Sequence, residues 1–292
     1  MGNRRGPLSG RPIVVVAPAK LTLSLVVEGR RPDGYHDLRA EMVALDLADV
    51  LRIEPGGEGL VLEASPGSRA EEVPSGPTNL VHRALEAVGR RARVHVVKGI
   101  PVGGGLGGGS ADAAAVLRWA GCHDPAVAAS LGADVPFCVT GGRAMVEGLG
   151  ERVTPLPFEA RSFVLLVPPF GVDTGAVYRR FDARSATAAG RRAGADDSRG
   201  PGEARGLSVR NDLEVAALEV EPRLAAWRDL LAEVTGRRPV LAGSGSTWFV
   251  EGTLAEFGLD GRGSIELGPP DGGHGHLVEA HTVPAGWDGP SG

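Results

Sequence analysis

Ile13 to Val16 is an unbroken apolar run, and Leu21 to Val27 alternates apolar with small polar residues. Period two is the mark of a half-buried strand, so the pattern predicts two strands separated by Ala17-Pro18-Ala19-Lys20. Asp33-Gly34 marks a turn. Leu38 to Leu47 and Asp49 to Glu54 predict two further strands, ended by Gly56-Gly57, and residues 63–77 predict a polar loop. Leu80, Ala84, Leu85 and Val88 recur at helical spacing, which predicts a helix over 79–90. Arg93 to Val97 predicts a strand and 111–120, rich in Ala and Leu, a helix. Asp124-Pro125 supplies an N-cap and a first-turn proline for a short helix reaching about Leu131.

Phe163 to Val167 predicts a strand bounded by Pro168-Pro169, and 176–182 a short helix. Residues 184–206 show no periodicity and read as a disordered or inserted low-complexity stretch. Helices are predicted over 211–218 and 222–234, the second with Leu224, Trp227, Leu230 and Leu231 on one face. Val240 to Val250 predicts a glycine turn followed by a strand, and 276–283 a last strand. Residues 1–11 read as a disordered polar arm. Strands and helices in this order predict an α/β (α+β) chain. A boundary near Pro155 to Pro157 divides it into two domains, 1–156 and 157–292.

Composition narrows the class. With 292 residues and 42% hydrophobic content the chain can build a substantial core, and with only 4% aromatics that core must be chiefly Val, Leu and Ala. A net charge of −5 with no basic stripe argues against a nucleic-acid partner. No run approaches the roughly 18 apolar residues of a membrane span. Arg4-Arg5 precedes no apolar leader core, and Gly6 stands where a myristoylation signal needs Ser or Thr, so a cytoplasmic protein is expected. Cys122 and Cys138 fit reduced, buried thiols, and the sequence leaves a disulfide between them open.

The chemistry gathers at Lys98 to Ala115, where six glycines fall between Gly103 and Gly109, interrupted by Leu106. A strand precedes them, and Ser110 follows as the expected N-cap of the Ala-rich helix. Glycines admit close backbone approach, and a helix N-terminus offers free N–H groups and a positive dipole end, so the unit predicts a phosphate site. Gly103, Gly105 and Gly108 also fit the dinucleotide spacing G-x-G-x-x-G, but Pro101 between strand and glycines does not suit that tight turn. Lys20 lies among Val, Ala and Leu, where it either meets an anion or snorkels outward. Asp134 is either a helix N-cap or the acceptor of a proton from a substrate alcohol. The Ser110 hydroxyl is a candidate Mg²⁺ contact. Tyr35-His36 is either a nucleobase clamp or an ordinary exposed turn. His274 and His276 sit among Gly and Asp and read as solvated.

These residues together resemble the GHMP kinases. Gly103 to Ala114 is similar to that family's second motif, Pro18-Ala19-Lys20-Leu21 to its first, and Leu241 to Phe249 to its third. Asp33-Gly34-Tyr35-His36 and Leu131 to Pro136 resemble the branch whose acceptor is a cytidine diphosphate methylerythritol in non-mevalonate isoprenoid synthesis. The resemblance implies an N-terminal domain of the ribosomal protein S5 domain 2 type and a ferredoxin-like C-terminal domain. It implies ATP and Mg²⁺ as cofactors, with Lys20 and Asp134 as the catalytic pair. ATP would contact Asn79, Lys98, Pro101, Gly103, Gly104, Gly105, Leu106, Gly107, Gly108, Gly109 and Ser110. The acceptor would contact Thr22, Tyr35 and His36, with Thr22 standing where the family has Asn. A small-molecule substrate is the implied partner, with neither nucleic acid nor membrane, and the chain would be a monomer or weak homodimer.

Overall fold

The computed structural model describes residues 11–65, 68–192, 210–261, 264–267 and 273–289. Residues 1–10 of the predicted N-terminal arm and most of the aperiodic stretch, 193–206, lie outside the described residues.

Two sheets carry the fold. The first begins with β1 (Ile13–Arg30) and β2 (His36–Pro55), an antiparallel pair in register from Ile13↔Ile53 to Arg30↔His36. Each is one long strand where the pattern predicted two. Pro18 does not end β1, because it falls at a register shift: Pro18 faces Ala48, yet Lys20 faces Ala44. A bulge tolerates a residue without an N–H and re-aims its neighbours. It also frees the Lys20 N–H, which donates to the Leu106 carbonyl at 3.0 Å.

β3 (Gly59–Ala64), hidden in the sequence at the edge of the predicted loop, pairs parallel to β4 (Ala92–Lys98) through the crossover helix α1 (Leu80–Ala87). The glycine loop leads into α2 (Gly108–Ala120), followed by α3 (Pro125–Leu131), α4 (Val135–Thr140), β5 (Arg143–Gly148) and β6 (Arg152–Leu156). Along one edge β2 pairs with β1; along the other it pairs with β5 over 38–43 and with β4 over 50–55. Helix α2 buries Ala111 and Ala113 to Leu117 against this sheet. Small side chains let helix and strand approach closely, which suits a chain poor in aromatics.

The second sheet is antiparallel, ordered β10-β11-β7-β9-β8, from β7 (Ser162–Val167), β8 (Val240–Leu241), β9 (Trp248–Glu251), β10 (Ser264–Leu267) and β11 (Gly273–His281). Its alternation divides two cores. Phe163, Leu165 and Phe249 join the core of the first sheet, while Val164, Leu166 and Trp248 pack with α5 (Thr174–Arg192), α6 (Glu214–Val220) and α7 (Leu224–Thr235). Helix α5 extends well past the predicted 176–182, into the stretch read as aperiodic. The last strand, β11, starts before the predicted 276, so that His274 as well as His276 lies on it.

Candidate active site

Gly103, Gly105 and Gly107 take φ of +72°, +80° and +74°, so the backbone between β4 and α2 follows a path closed to L side chains. Gly107 is the N-cap of α2 in the left-handed conformation, and its carbonyl accepts the first helical bond, from Ala111 N. This corrects the expectation for Ser110, which lies inside the first turn. The glycine at the cap moves the helix start three residues earlier, so the open N–H groups are those of Gly108, Gly109 and Ser110. Beside them is a cavity of about 260 Å³ that Thr78, Asn79, Ile100, Pro101 and the loop enclose.

The far wall of the loop comes from the second glycine turn, residues 242–247. Thr247 N donates to the Gly104 carbonyl at 3.2 Å. A Cβ on Gly105 would stand 2.2 Å from the Ala242 carbonyl oxygen, and one on Gly245 would stand 2.2 Å from Gly105 N. The two turns therefore meet backbone to backbone, which requires glycine on both sides.

Lys20 and Asp134 come together at the end of this loop. Lys20 Nζ lies 3.4 Å from Asp134 Oδ2 and donates to Thr22 Oγ1 at 3.2 Å. Its stem runs beneath Gly107, where a Cβ would approach Lys20 Cγ to 2.7 Å. The ammonium is buried, and the carboxylate is 31% exposed, open to a second molecule. Asp134 occupies the N-cap position of α4, yet its side chain makes no capping bond. The capping alternative therefore fails, and the carboxylate serves the lysine. A buried cation beside a half-open carboxylate, next to a helix start with unpaired N–H groups, is an arrangement that can serve phosphoryl transfer.

A family description, GHMP kinases N terminal domain, matches residues 79–142. A 4-diphosphocytidyl-2-C-methyl-D-erythritol kinase of Paracoccus denitrificans is 41% identical over 247 residues, covering 80% of this chain and 84% of its own. The enzyme of that name from Cutibacterium acnes is 36% identical over 260 residues, with 80% and 84% covered. The chain belongs to the 4-diphosphocytidyl-2-C-methyl-D-erythritol kinase family. A crystal structure of 4-(cytidine 5'-diphospho)-2C-methyl-D-erythritol kinase matches this kinase-family chain with a TM-score of 0.62 at 33% identity, covering 81% of this chain and 89% of that one. A homoserine kinase from Cytophaga hutchinsonii, at 14% identity and a TM-score of 0.53, shares the fold. The GHMP kinase fold expected from the motifs is thus the fold of this chain.

The remaining residues that the family resemblance singled out lie in different settings. Thr22 joins Lys20 directly. Tyr35 and His36 separate: Tyr35 is 64% exposed on its turn, while His36 is buried, with Nε2 2.6 Å from Asp182 Oδ1. The His36 ring stacks on Tyr178 at 5.4 Å and meets Phe181 edge-on at 6.0 Å. Asn79 caps α1, accepting from Val81 N and donating to the Pro74 carbonyl, so it shapes the cavity wall with both ends of its amide engaged. Lys98 is buried against Asp49 and Asp112.

Tyr178 is a neighbour of His36 that the motifs did not reveal. Burial, and then the nearby Asp134 charge, push its phenol up to about 12, so it stands protonated beside His36. One signal for it lay in the composition, since Tyr178 is one of only two tyrosines in the chain. Cys122 and Cys138 are both free, and burial foremost pushes the Cys138 thiol up to about 12, which makes it inert.

Proposed function

We propose that this chain transfers the γ-phosphoryl group of ATP to the 2-hydroxyl of 4-diphosphocytidyl-2-C-methyl-D-erythritol. The observation that carries this reading is the Lys20–Asp134 pair, 3.4 Å apart at the mouth of the glycine loop. The triphosphate lies along Gly103 to Ser110, where the first N–H groups of α2 meet its charge. Asp134 accepts the proton of the acceptor hydroxyl as that oxygen attacks the γ-phosphorus, the bond to the bridging oxygen breaks, and ADP leaves. Lys20 holds the transferring group in place and offsets the charge that spreads over its oxygens. Thr22, bonded to Lys20, fixes the ammonium.

Magnesium fits the donors available. A Cβ on Gly132 would come 4.0 Å from Ser110 Oγ, so that hydroxyl faces the segment leading to Asp134. Hydroxyl and carboxylate oxygens are the hard ligands Mg²⁺ takes, and the ion would supply charge neutralisation on the phosphates. The exposed Tyr35 ring offers a stacking face for cytosine, and His36, the next residue, turns inward to its own aromatic nest. The reading places ATP chiefly on domain 1–156 and the remainder of the acceptor site on 157–292, in a cytoplasmic monomer or weak homodimer.

The test is ADP release with and without the cytidine substrate. Acceptor-dependent release is expected, and Tyr35→Ala should weaken the acceptor by about 5- to 150-fold, as the loss of a base-stacking platform would, while ATP is held as before. ADP release indifferent to the cytidine compound would sink the substrate assignment.

A further inference from the structure

The glycine loop is anchored from beneath by a carboxylate that takes no part in the chemistry just described. Asp49 is fully buried on β2, at the seam where the edge of that strand passes from β5 to β4. Its Oδ1 accepts two backbone N–H groups, Gly99 at 2.7 Å and Ile100 at 2.8 Å. These are the residues that leave β4 for the loop. Its Oδ2 accepts from Lys98 Nζ, and the same ammonium donates to Asp112 Oδ2 at 2.7 Å. Asp112 lies in α2, just beyond the first turn, on the other side of the loop.

One buried carboxylate thus fixes the point where the chain enters the loop and, through Lys98, the helix where it leaves. Gly99 shows how close the strands come here, since a Cβ would stand 2.4 Å from the Ala48 carbonyl oxygen. A charged cluster at this depth is an inefficient source of stability, because apolar residues of similar volume often do as well or better. Its strength is geometric: charge-assisted bonds hold their partners at fixed distance and direction. Lys98 bonds to both Asp49 and Asp112, so its ammonium is committed to them rather than to a phosphate, and the positive ends that would meet ATP are the N–H groups whose positions this cluster sets.

We propose that Asp49 is a positioning residue for the nucleotide, acting through Gly99, Ile100 and the Lys98–Asp112 link to hold the phosphate loop in its binding shape. The proposal rests on the reading that phosphates lie on Gly103 to Ser110. It predicts a selective effect, because Asp49 touches elements that bound the ATP cavity and none of Tyr35, His36, Tyr178 or Asp134.

The experiment compares Asp49→Ala and Asp49→Asn by ATP titration in a calorimeter and by steady-state kinetics with each substrate varied. Asp49→Ala should weaken ATP by about tenfold or more, following loss of two backbone bonds and one charge-assisted bond. The acceptor KM should stay within about threefold, a split that general unfolding would not produce. Asp49→Asn keeps an oxygen for Gly99 and Ile100 and should fall between wild type and Asp49→Ala. If Asp49→Ala does not fold, the ratio of ATP to acceptor effects in Asp49→Asn decides. ATP affinity at the wild-type level in a folded variant, or equal losses for both substrates, would overturn the proposal. Gly107→Val separates the two levels: if it spares ATP binding, the phosphates lie elsewhere. If it abolishes binding while the Asp49 variants retain it, only the positioning role is lost.

Discussion

Asp134 Oδ2 lies 3.4 Å from Lys20 Nζ, and the helix that Asp134 opens leaves this carboxylate without a capping bond. The residue stands in a capping position but is released from capping. Asp134→Asn should therefore cost turnover, by about 10²- to 10⁴-fold as for other general bases, while ATP affinity stays within about threefold. Parallel measurements of turnover and nucleotide titration check this. Turnover within about threefold of wild type would return Asp134 to the rank of a helix-start residue.

Lys20→Met tests the other half of the pair. The thioether side chain preserves the stem that fills the space under Gly107, so the thermal transition should move little, while turnover falls with the lost positive charge. A collapsed transition with near-normal activity per folded molecule would assign Lys20 to the core instead.

Gly105→Ala is expected to lower both stability and ATP affinity. The methyl group meets the Ala242 carbonyl oxygen at 2.2 Å, and φ of +80° costs an L residue about 1–2 kcal/mol in addition. A thermal melt and an ATP titration on the same sample read both effects; an unchanged melt would show that the two glycine turns can part without cost.

Asp112 should make stability depend on pH. Burial, opposed by Lys98 and reinforced by Asp49, pushes its carboxyl up to about 8. The folded chain then binds a proton that the unfolded chain releases near pH 4, so between about pH 4 and 8 folding takes up a proton. This contribution to stability is complete at low pH and is lost as pH rises through about 8. Asp112→Asn carries no titrating proton, so its stability relative to wild type should improve from pH 5 to pH 8. Denaturant midpoints at several pH values measure it, and a difference that stays constant across the range would contradict the assignment.

Asp182 holds His36 in its aromatic nest, so Asp182→Ala should raise the acceptor KM several-fold with the ATP KM nearly unchanged. Varying each substrate with the other saturating decides the matter. Equal shifts in both would place Asp182 outside the acceptor wall.

Short-range signals were legible in the sequence. The glycines, the Asp124 cap, and the Lys20 and Asp134 motifs are each contained within a few residues, and the structure brings the glycine loop, Lys20 and Asp134 together. What stayed hidden depends on pairing between distant segments. Pro18 looks like a strand end until the register shift against Ala48 is known. Ser110 looks like the cap because its hydroxyl is the usual capping group, yet Gly107 takes that place by adopting positive φ. Asp49 and Asp112 are 63 positions apart, and only the alignment of β2 with β4 and α2 sets both against Lys98. Tyr178 belongs to no motif and reaches His36 through the path of α5.

The backbone contact between the two glycine turns also has a consequence for the order in which the protein is made. The hydrogen-bond partner of Gly104, Thr247, and the close-fitting Gly245 are translated more than 140 residues after it. The first sheet, α1 and α2 can emerge from the ribosome while the wall of the nucleotide cradle is still unmade. A nascent chain stopped before Thr247 therefore lacks the second wall of its glycine loop, and the loop can take its final shape only after residues 242–247 have been made.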